Sequence, residues 1–221
     1  MAIFISRELS SSSAFRKFEI EGVPVIGESL IKIEAAVIDI YPKTDWIFFY
    51  SSNGVKHFFD SQEHSTDNQY AVMGPATANV FYKITGHSPK YTGNGIPKDV
   101  ADNFITYESG KSVLFIKAEN SKDSVRQLVL NLMDTYELIA YHNTIRLDIN
   151  LQPCNHLVFT SPMNVEGYFN TYSYRGEQLY AIGQSTADKI KSITGCIAKI
   201  PDTPSEYALY SLVSADYNKE I

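Results

Sequence analysis

The sequence predicts an α/β protein of two similar domains, each with a mostly parallel sheet flanked by helices, joined by a two-stranded β linker. Three observations carry this. The chain repeats itself about half a length apart: Phe48-Phe49-Tyr50-Ser51-Ser52-Asn53-Gly54-Val55 returns as Val158-Phe159-Thr160-Ser161-Pro162-Met163-Asn164-Val165. Ala71 to Ala78 likewise returns as Ala181 to Ala187, and Ile84-Thr85-Gly86 as Ile193-Thr194-Gly195. That spacing is too long for a solenoid unit of ~20–50 residues and suits two facing halves with a cleft. Apolar runs of buried-strand type alternate with helical patterns, as parallel sheets require. Two long β-prone stretches, roughly 23–40 and 136–149, sit at equivalent places in the repeat. Both exceed the usual strand of ~5–6 residues. They are expected to run between the domains, which puts 1–35 with 146–221, leaves 36–145 as the second domain, and places linker strands near 30–38 and 138–147.

In chain order, Ile3-Phe4-Ile5 is a short buried strand ending at Ser6-Arg7, and Ser10 to Ser13 are placed to cap a helix holding Ala14, Phe15 and Phe18. Trp46-Ile47-Phe48-Phe49-Tyr50 is a strand buried on both faces. A helix over Asn53–Phe59, a strand over Tyr70–Met73 and a helix over Ala76–Ile84 follow, the last stopped by Gly86. In the second half, Val113 to Ile116 corresponds to the opening strand. Val125, Leu128, Val129 and Leu132 fall at i, i+3, i+4 and i+7, an amphipathic helix. Thr203, Pro204 and Glu206 fit an N-cap, a first-position proline and a capping-box acid for the last helix.

With 221 residues, 44% of them hydrophobic, the chain affords two small cores. No apolar run approaches the ~20 residues of a membrane span. The start lacks a basic segment followed by a long apolar one, so no signal peptide and a cytoplasmic location are expected. Cys154 and Cys196 are too few for a disulfide framework or a Cys-rich metal site. A net charge of −6 with mixed signs argues against nonspecific nucleic-acid binding but leaves a small anionic ligand open.

Four strand-to-helix junctions are the strongest site candidates: Ser51-Ser52-Asn53-Gly54, Gly74-Pro75-Ala76-Thr77, Thr160-Ser161-Pro162 and Gly183-Gln184-Ser185-Thr186. Taken singly, each reads as an N-cap worth ~0.5–2 kcal/mol. Taken together, they read as helix N-termini at the carboxyl ends of parallel strands, where anions and other ligands bind. Arg7 and Lys117 follow the first strand of each half, within reach of a bound carboxylate or simply solvated. Tyr141 has no tyrosine counterpart, since Ile33 falls at the matching position. It is either a buried core tyrosine or a residue that gives or shares a proton. Gly93-Asn94-Gly95 lacks the third glycine of a dinucleotide loop and reads as a turn before the helix that Pro97 begins, with Asn94 kept as a ligand contact. The histidines at 57, 64, 87, 142 and 156 show no metal-ligand spacing and are assigned surface or loop roles. No phosphate loop, nucleophile elbow or Cys-His pair occurs.

These residues resemble the uroporphyrinogen-III synthase family. The matching pieces are Ile5-Ser6-Arg7, the Tyr141 stretch, Phe159-Thr160-Ser161-Pro162 with Val165, Ala181-Ile182-Gly183 with Thr186-Ala187, and Thr203-Pro204 with Ala208-Leu209. The resemblance implies two α/β domains on a two-stranded linker and a monomeric enzyme needing no cofactor or metal. It implies a small-molecule substrate, hydroxymethylbilane, cyclised with loss of water and inversion of the fourth pyrrole ring. By the same likeness Tyr141 assists departure of the hydroxyl. Thr77, Ser161 and Thr186, together with Ser51, Ser52 and Asn94, hold the substrate's carboxylates, helped by Arg7 and Lys117. Two features depart from the family pattern: Lys117-Ala118-Glu119 stands where a glycine is common, and Ser51-Ser52 lacks the proline of Ser161-Pro162. Two other functions compete. One is a two-domain protein that captures a small polyanion without chemistry, and the other is a degenerate family member acting as a regulatory module. The ratio of type III to type I product formed from hydroxymethylbilane separates them.

Overall fold

A computed structural model describes residues 2–220, with the backbone alone described at Tyr107 and Glu220. In chain order the elements are β1 (Ile3–Ile5), α1 (Arg16–Ile20), β2 (Val25–Gly27), β3 (Ile31–Ala35), β4 (Trp46–Phe49), α2 (Ser52–Phe59), β5 (Gln69–Val72), α3 (Pro75–Thr85) and β6 (Tyr91–Thr92). They continue with α4 (Pro97–Glu108), β7 (Ser112–Ala118), α5 (Ser124–Val129), β8 (Asp134–Ile145), β9 (His156–Phe159), α6 (Pro162–Thr171), β10 (Gln178–Ala181), α7 (Gln184–Thr194) and α8 (Glu206–Glu220). Two compact units result, Met1–Lys32 with Thr144–Ile221, and Ile33–Asn143. The chain passes between them within β3 and within β8.

The first unit is built on a four-stranded sheet in the order β10-β9-β1-β2, parallel throughout. The register sets Ile3 beside both Val25 and His156, and Tyr180 beside Val158. Side chains alternate between two apolar layers. Phe4, Leu157 and Phe159 pack on Val165 and Tyr168 of α6 and Ile190 of α7. Ile3, Ile5 and Val158 pack on Phe15, on Phe18 of α1, and on Leu209 and Val213 of α8.

The second unit holds the order β3-β8-β7-β4-β5-β6. From β8 to β6 every pair is parallel. β3 runs the other way along β8, since Leu30 bonds Arg146 while Ala36 bonds Ala140, one partner number falling as the other rises. All four residues of β4 are buried. Ile47 and Phe49 face Val55 and Phe58 of α2 and Phe81 of α3. Trp46 and Phe48 face Phe104 of α4 and Val125 and Val129 of α5. Each such aromatic contributes roughly 1.5–3 kcal/mol by leaving water. The duplication seen in sequence has a topological form: β10, β9 and β1 occupy in the first unit the places of β5, β4 and β7 in the second.

Several local expectations are corrected. α1 begins at Arg16, with Phe15 at its N-cap and no side-chain cap, so Ala14 and Phe15 lie outside it. The Ser13 hydroxyl is used elsewhere, accepting from the Phe15 N–H and donating to Glu206. The stretch 23–40 is not one strand. It breaks after Gly27, where any Cβ would meet Leu9 Cγ at 2.4 Å, and β3 ends at Ala35. On α5 the buried face is Val125 and Val129, while Leu128 and Leu132 are about half exposed, because the helix stops at Val129 to feed β8. α8 starts at Glu206 and is capped by Ser205, whose hydroxyl accepts the Ala208 N–H at 3.2 Å. The Glu206 carboxylate reaches back to Ser13 and the Ala14 N–H instead of closing a capping box on Thr203. His156 is not a surface or loop residue: it is fully buried in β9 with Nδ1 3.2 Å from the Tyr180 hydroxyl. His57 and His142 also lie on regular elements, α2 and β8.

Candidate active site

In the second unit, β4 gives way to α2 through Ser51, whose extended backbone (φ −150°, ψ 160°) makes it the N-cap. Its Oγ accepts the Gly54 N–H at 3.1 Å. The same Oγ lies 2.9 Å from the Tyr141 hydroxyl. Tyr141 reaches it because the register between β7 and β8 shifts by one residue between Lys117 and Ala118: Lys117 pairs with Ile139, and Ala118 with Tyr141. An unbroken strand sends neighbouring side chains to opposite faces. Here Ala140 and Tyr141 pack in the same apolar layer, which only such a shift permits. Tyr141 is 6% exposed. His57, one turn beyond Gly54 on α2, lays its ring against Tyr141 with centroids 5.5 Å apart at 35°. Its Nδ1 is 3.2 Å from Asp60 Oδ2.

Around this pair, Ser52 donates a long hydrogen bond (3.5 Å) to the Ala76 carbonyl. Thr77 is the buried third residue of α3. α3 is capped by Gly74 in an extended conformation and has no side-chain cap, so Thr77 is not the cap that its junction suggested. The first-turn N–H groups there have no hydroxyl over them and remain anion donors.

Asn94 is tied into its own turn, accepting the Ile96 N–H at 2.9 Å and donating to Asp99 at 2.8 Å. Gly93 is packed so tightly that a Cβ would meet the Met73 carbonyl oxygen at 2.5 Å. Lys117 is buried and held by Asp123 and, at 2.9 Å, by Glu137, which also binds Arg126. Burial pulls its pKa down, but the two carboxylates outweigh that and leave it raised. Beside it, burial pushes the Tyr50 phenol up to about 12 against the hydrogen bond it accepts from the Arg126 N–H. The structure thus brings Ser51, Ser52 and Tyr141 together with the start of α3, while Lys117 is buried against partners of its own and Asn94, on the surface, is bonded within its own turn.

The first unit repeats the arrangement with different fittings. Ser161 caps α6, accepting the Asn164 N–H at 3.2 Å and the Asn164 Nδ2 at 2.9 Å. Asn164 Oδ1 in turn accepts the Leu30 N–H at 2.8 Å. At the carboxyl ends of β1 and β9 the Ser6 and Thr160 hydroxyls lie 3.2 Å apart, and the Thr160 N–H donates to Ser6 Oγ. α7 is capped by Gly183, again extended and without a side-chain bond, with Thr186 buried at its third position. A Cβ on Gly183 would meet nothing within 4 Å. Arg7 is half-exposed and pairs with Glu206 at 3.2 Å.

Sequence reasoning missed His57 and the Ser6–Thr160 pair. The one available signal for His57 was its i+3 spacing from Gly54 on the helix face that carries the cap. Each unit by itself therefore includes, at the carboxyl edge of its sheet, one helix N-terminus capped by serine and one by glycine. Among the described residues no group of three or more His, Cys, Asp or Glu is placed to hold a metal ion.

A family model described as uroporphyrinogen-III synthase HemD matches residues 13–211. The uroporphyrinogen-III synthetase structure from Helicobacter pylori 26695 is similar to this chain with TM-score 0.74 at 16% identity, over 97% of this chain and 98% of that one. A mutant uroporphyrinogen III synthase from Thermus thermophilus gives TM-score 0.62 at 13% identity over 99% and 100%. The wild-type Thermus enzyme gives 0.50 at 14% over 100% and 99%. A search of curated proteins found no match.

Proposed function

The chain belongs to the uroporphyrinogen-III synthase family, and we propose that Tyr141 supplies the proton that starts its reaction. The enzyme is a cyclising lyase of tetrapyrrole biosynthesis. It closes hydroxymethylbilane to uroporphyrinogen III, losing water while the fourth pyrrole ring is inverted. In the proposed step the C–O bond of the terminal hydroxymethyl group breaks with its electron pair on oxygen. The Tyr141 proton converts that oxygen to water. The exocyclic methylene carbon of the azafulvene left behind is attacked by the substituted α-carbon of the fourth pyrrole ring, giving a spiro intermediate that fragments and recloses. The ring proton lost at closure restores the phenol.

Uncatalysed closure gives the uninverted isomer, so the protein has to hold the substrate in one conformation. Each unit taken by itself offers helix N-termini suited to acetate and propionate groups, α2 and α3 in one and α6 and α7 in the other. Ser52, Thr77, Ser161, Thr186 and Arg7 would contribute side-chain contacts there. Asn94 and Lys117 are assigned to shaping their own unit, because their polar atoms are already engaged. The observation that carries the reading is the phenol of Tyr141, 6% exposed and 2.9 Å from a helix-capping hydroxyl at the carboxyl edge of β4.

The protein is read as a cytoplasmic monomer acting without a cofactor, with sedimentation at working concentration as the check on its oligomeric state. Among the described residues no helix is long and apolar enough to cross a membrane. Freshly prepared hydroxymethylbilane provides the decisive assay. Product enriched in the type III isomer above the uncatalysed background is expected from the wild type and not from Tyr141→Phe. Type III formation by Tyr141→Phe at the wild-type rate removes the tyrosine from the mechanism.

A further inference from the structure

The third residue of α2 is Gly54 and that of α6 is Asn164, and this difference decides what the capping serine can do. A serine oxygen accepts two hydrogen bonds and donates one. In the first unit both acceptor positions of Ser161 are taken by Asn164, one by its backbone N–H and one by its Nδ2. In the second unit Gly54 offers only its backbone N–H. The remaining capacity of Ser51 faces the Tyr141 hydroxyl at 2.9 Å. Steric crowding does not demand a glycine at position 54. A Cβ there would meet Ser51 Oγ, Ile116 Cγ2 and the Ile116 carbonyl oxygen at 3.5–3.6 Å, ordinary contact distances. What glycine provides is a second acceptor position left open, so that either hydroxyl can donate while the phenol is intact.

We propose that Ser51 is the positioning residue of Tyr141, holding the phenol oxygen and donating a hydrogen bond to that oxygen as Tyr141 becomes a phenolate. This rests on Tyr141 being the proton donor. While the phenol is intact, either hydroxyl can donate to the other. Once the Tyr141 proton has gone to the leaving hydroxyl, Ser51 keeps the Gly54 N–H on one lone pair and turns its O–H to the negative oxygen. The start of α2 adds its partial positive charge from the same side. The serine thus couples helix cap and catalyst, acting at the transition state rather than on substrate binding.

The test separates capping from this role. Ser51→Thr keeps both the cap and a donor. Ser51→Asp keeps the cap but has no proton to give. Ser51→Ala loses both. With hydroxymethylbilane as substrate, Ser51→Ala and Ser51→Asp are expected to lower kcat by roughly ten- to a hundredfold, with KM within about twofold in Ser51→Ala, and Ser51→Thr to recover most of the rate. The 13Cζ resonance of Tyr141, identified by its absence in Tyr141→Phe, should move in both slow variants and stay close to wild type in Ser51→Thr. Wild-type kcat in Ser51→Asp reduces the serine to a helix cap and overturns the proposal. An unmoved Tyr141 resonance in Ser51→Ala overturns it independently of any rate. If Tyr141→Phe itself turns over normally, the proton-donor assignment falls first, while a slow Tyr141→Phe beside a fast Ser51→Ala defeats only the positioning role.

Discussion

The imidazole of His57 lies against the ring of Tyr141, with centroids 5.5 Å apart at an angle of 35°. The tyrosine is therefore held by two different kinds of contact, ring against ring and hydroxyl against Ser51. Replacement by phenylalanine removes only the second. Tyr141→Phe is expected to melt close to wild type while kcat for type III product falls by roughly a hundredfold, the low end of general-acid contributions. Calorimetry beside a product-isomer assay checks both halves, and a large loss of melting temperature would show that the hydroxyl serves the fold.

Lys117 has an opposite expected signature. Its ammonium lies between Asp123 and Glu137, and Arg126 completes the cluster. Lys117→Met leaves two carboxylates with diminished compensation, and a loss on the order of 3 kcal/mol is expected from denaturant unfolding. KM at permissive temperature should change little. A tenfold rise in KM with unchanged stability would instead make Lys117 a substrate contact.

Gly183 should show the reverse. It has an extended backbone open to any residue, and no atom lies within 4 Å of where its Cβ would stand. Gly183→Asp supplies α7 with a side-chain cap, so stability should hold or rise by a few tenths of a kcal/mol. The same carboxylate would repel an anionic substrate and block the N–H groups, raising KM roughly tenfold. Unchanged KM would mean that the start of α7 is not used for binding.

Much of this architecture is visible in the chain itself. β4 and Leu157 to Phe159 of β9 are apolar runs because both faces of each are covered, and the four junctions stand out because Ser51-Ser52 and Ser161-Pro162 follow those runs while Gly74-Pro75 and Gly183-Gln184 follow β5 and β10. The partner of Tyr141 was not visible. Ser51 precedes it by 90 residues, and their meeting depends on a register shift that leaves no mark in composition. In sequence Lys117 reads as a cation open to a bound carboxylate or to solvent, since its two carboxylates come from a loop and from a neighbouring strand. The cap of α8 was misplaced by two residues because Thr203-Pro204 imitates a helix start, while Ser205 makes the actual bond.

Phe49 and Phe159 hold matching places in the two units, each fully buried at the end of a central strand. Truncation of either to alanine is expected to cost about 3–5 kcal/mol, measured by denaturant unfolding. A loss below about 1 kcal/mol would mean that the surrounding aromatic rings close the space.

His64 gives a pH dependence whose sign can be worked out. It is stacked between Tyr70 and His87, with centroids at 4.8 and 4.5 Å. Burial first, and the neighbouring His87 second, hold its pKa below the ordinary 6.5. The unfolded chain therefore binds more protons at this residue in the window below that value. Its stabilising contribution is complete above 6.5 and is lost as pH falls through the folded value. His87→Asn, which removes one of the two causes, should flatten the fall in melting temperature between about pH 7.5 and about pH 5. An identical slope in both proteins would assign that fall to other groups.

The one-residue shift between β7 and β8 makes the position of the phenol a matter of counting rather than of chemistry. Substitutions along β8 that keep an extended backbone leave Tyr141 on the Ser51 face whatever their side chains are. Losing or gaining a single residue between Asp134 and Tyr141 would turn it to the opposite face and leave a sheet of the same composition with nothing to donate. Such a site tolerates wide drift in spelling and almost none in length.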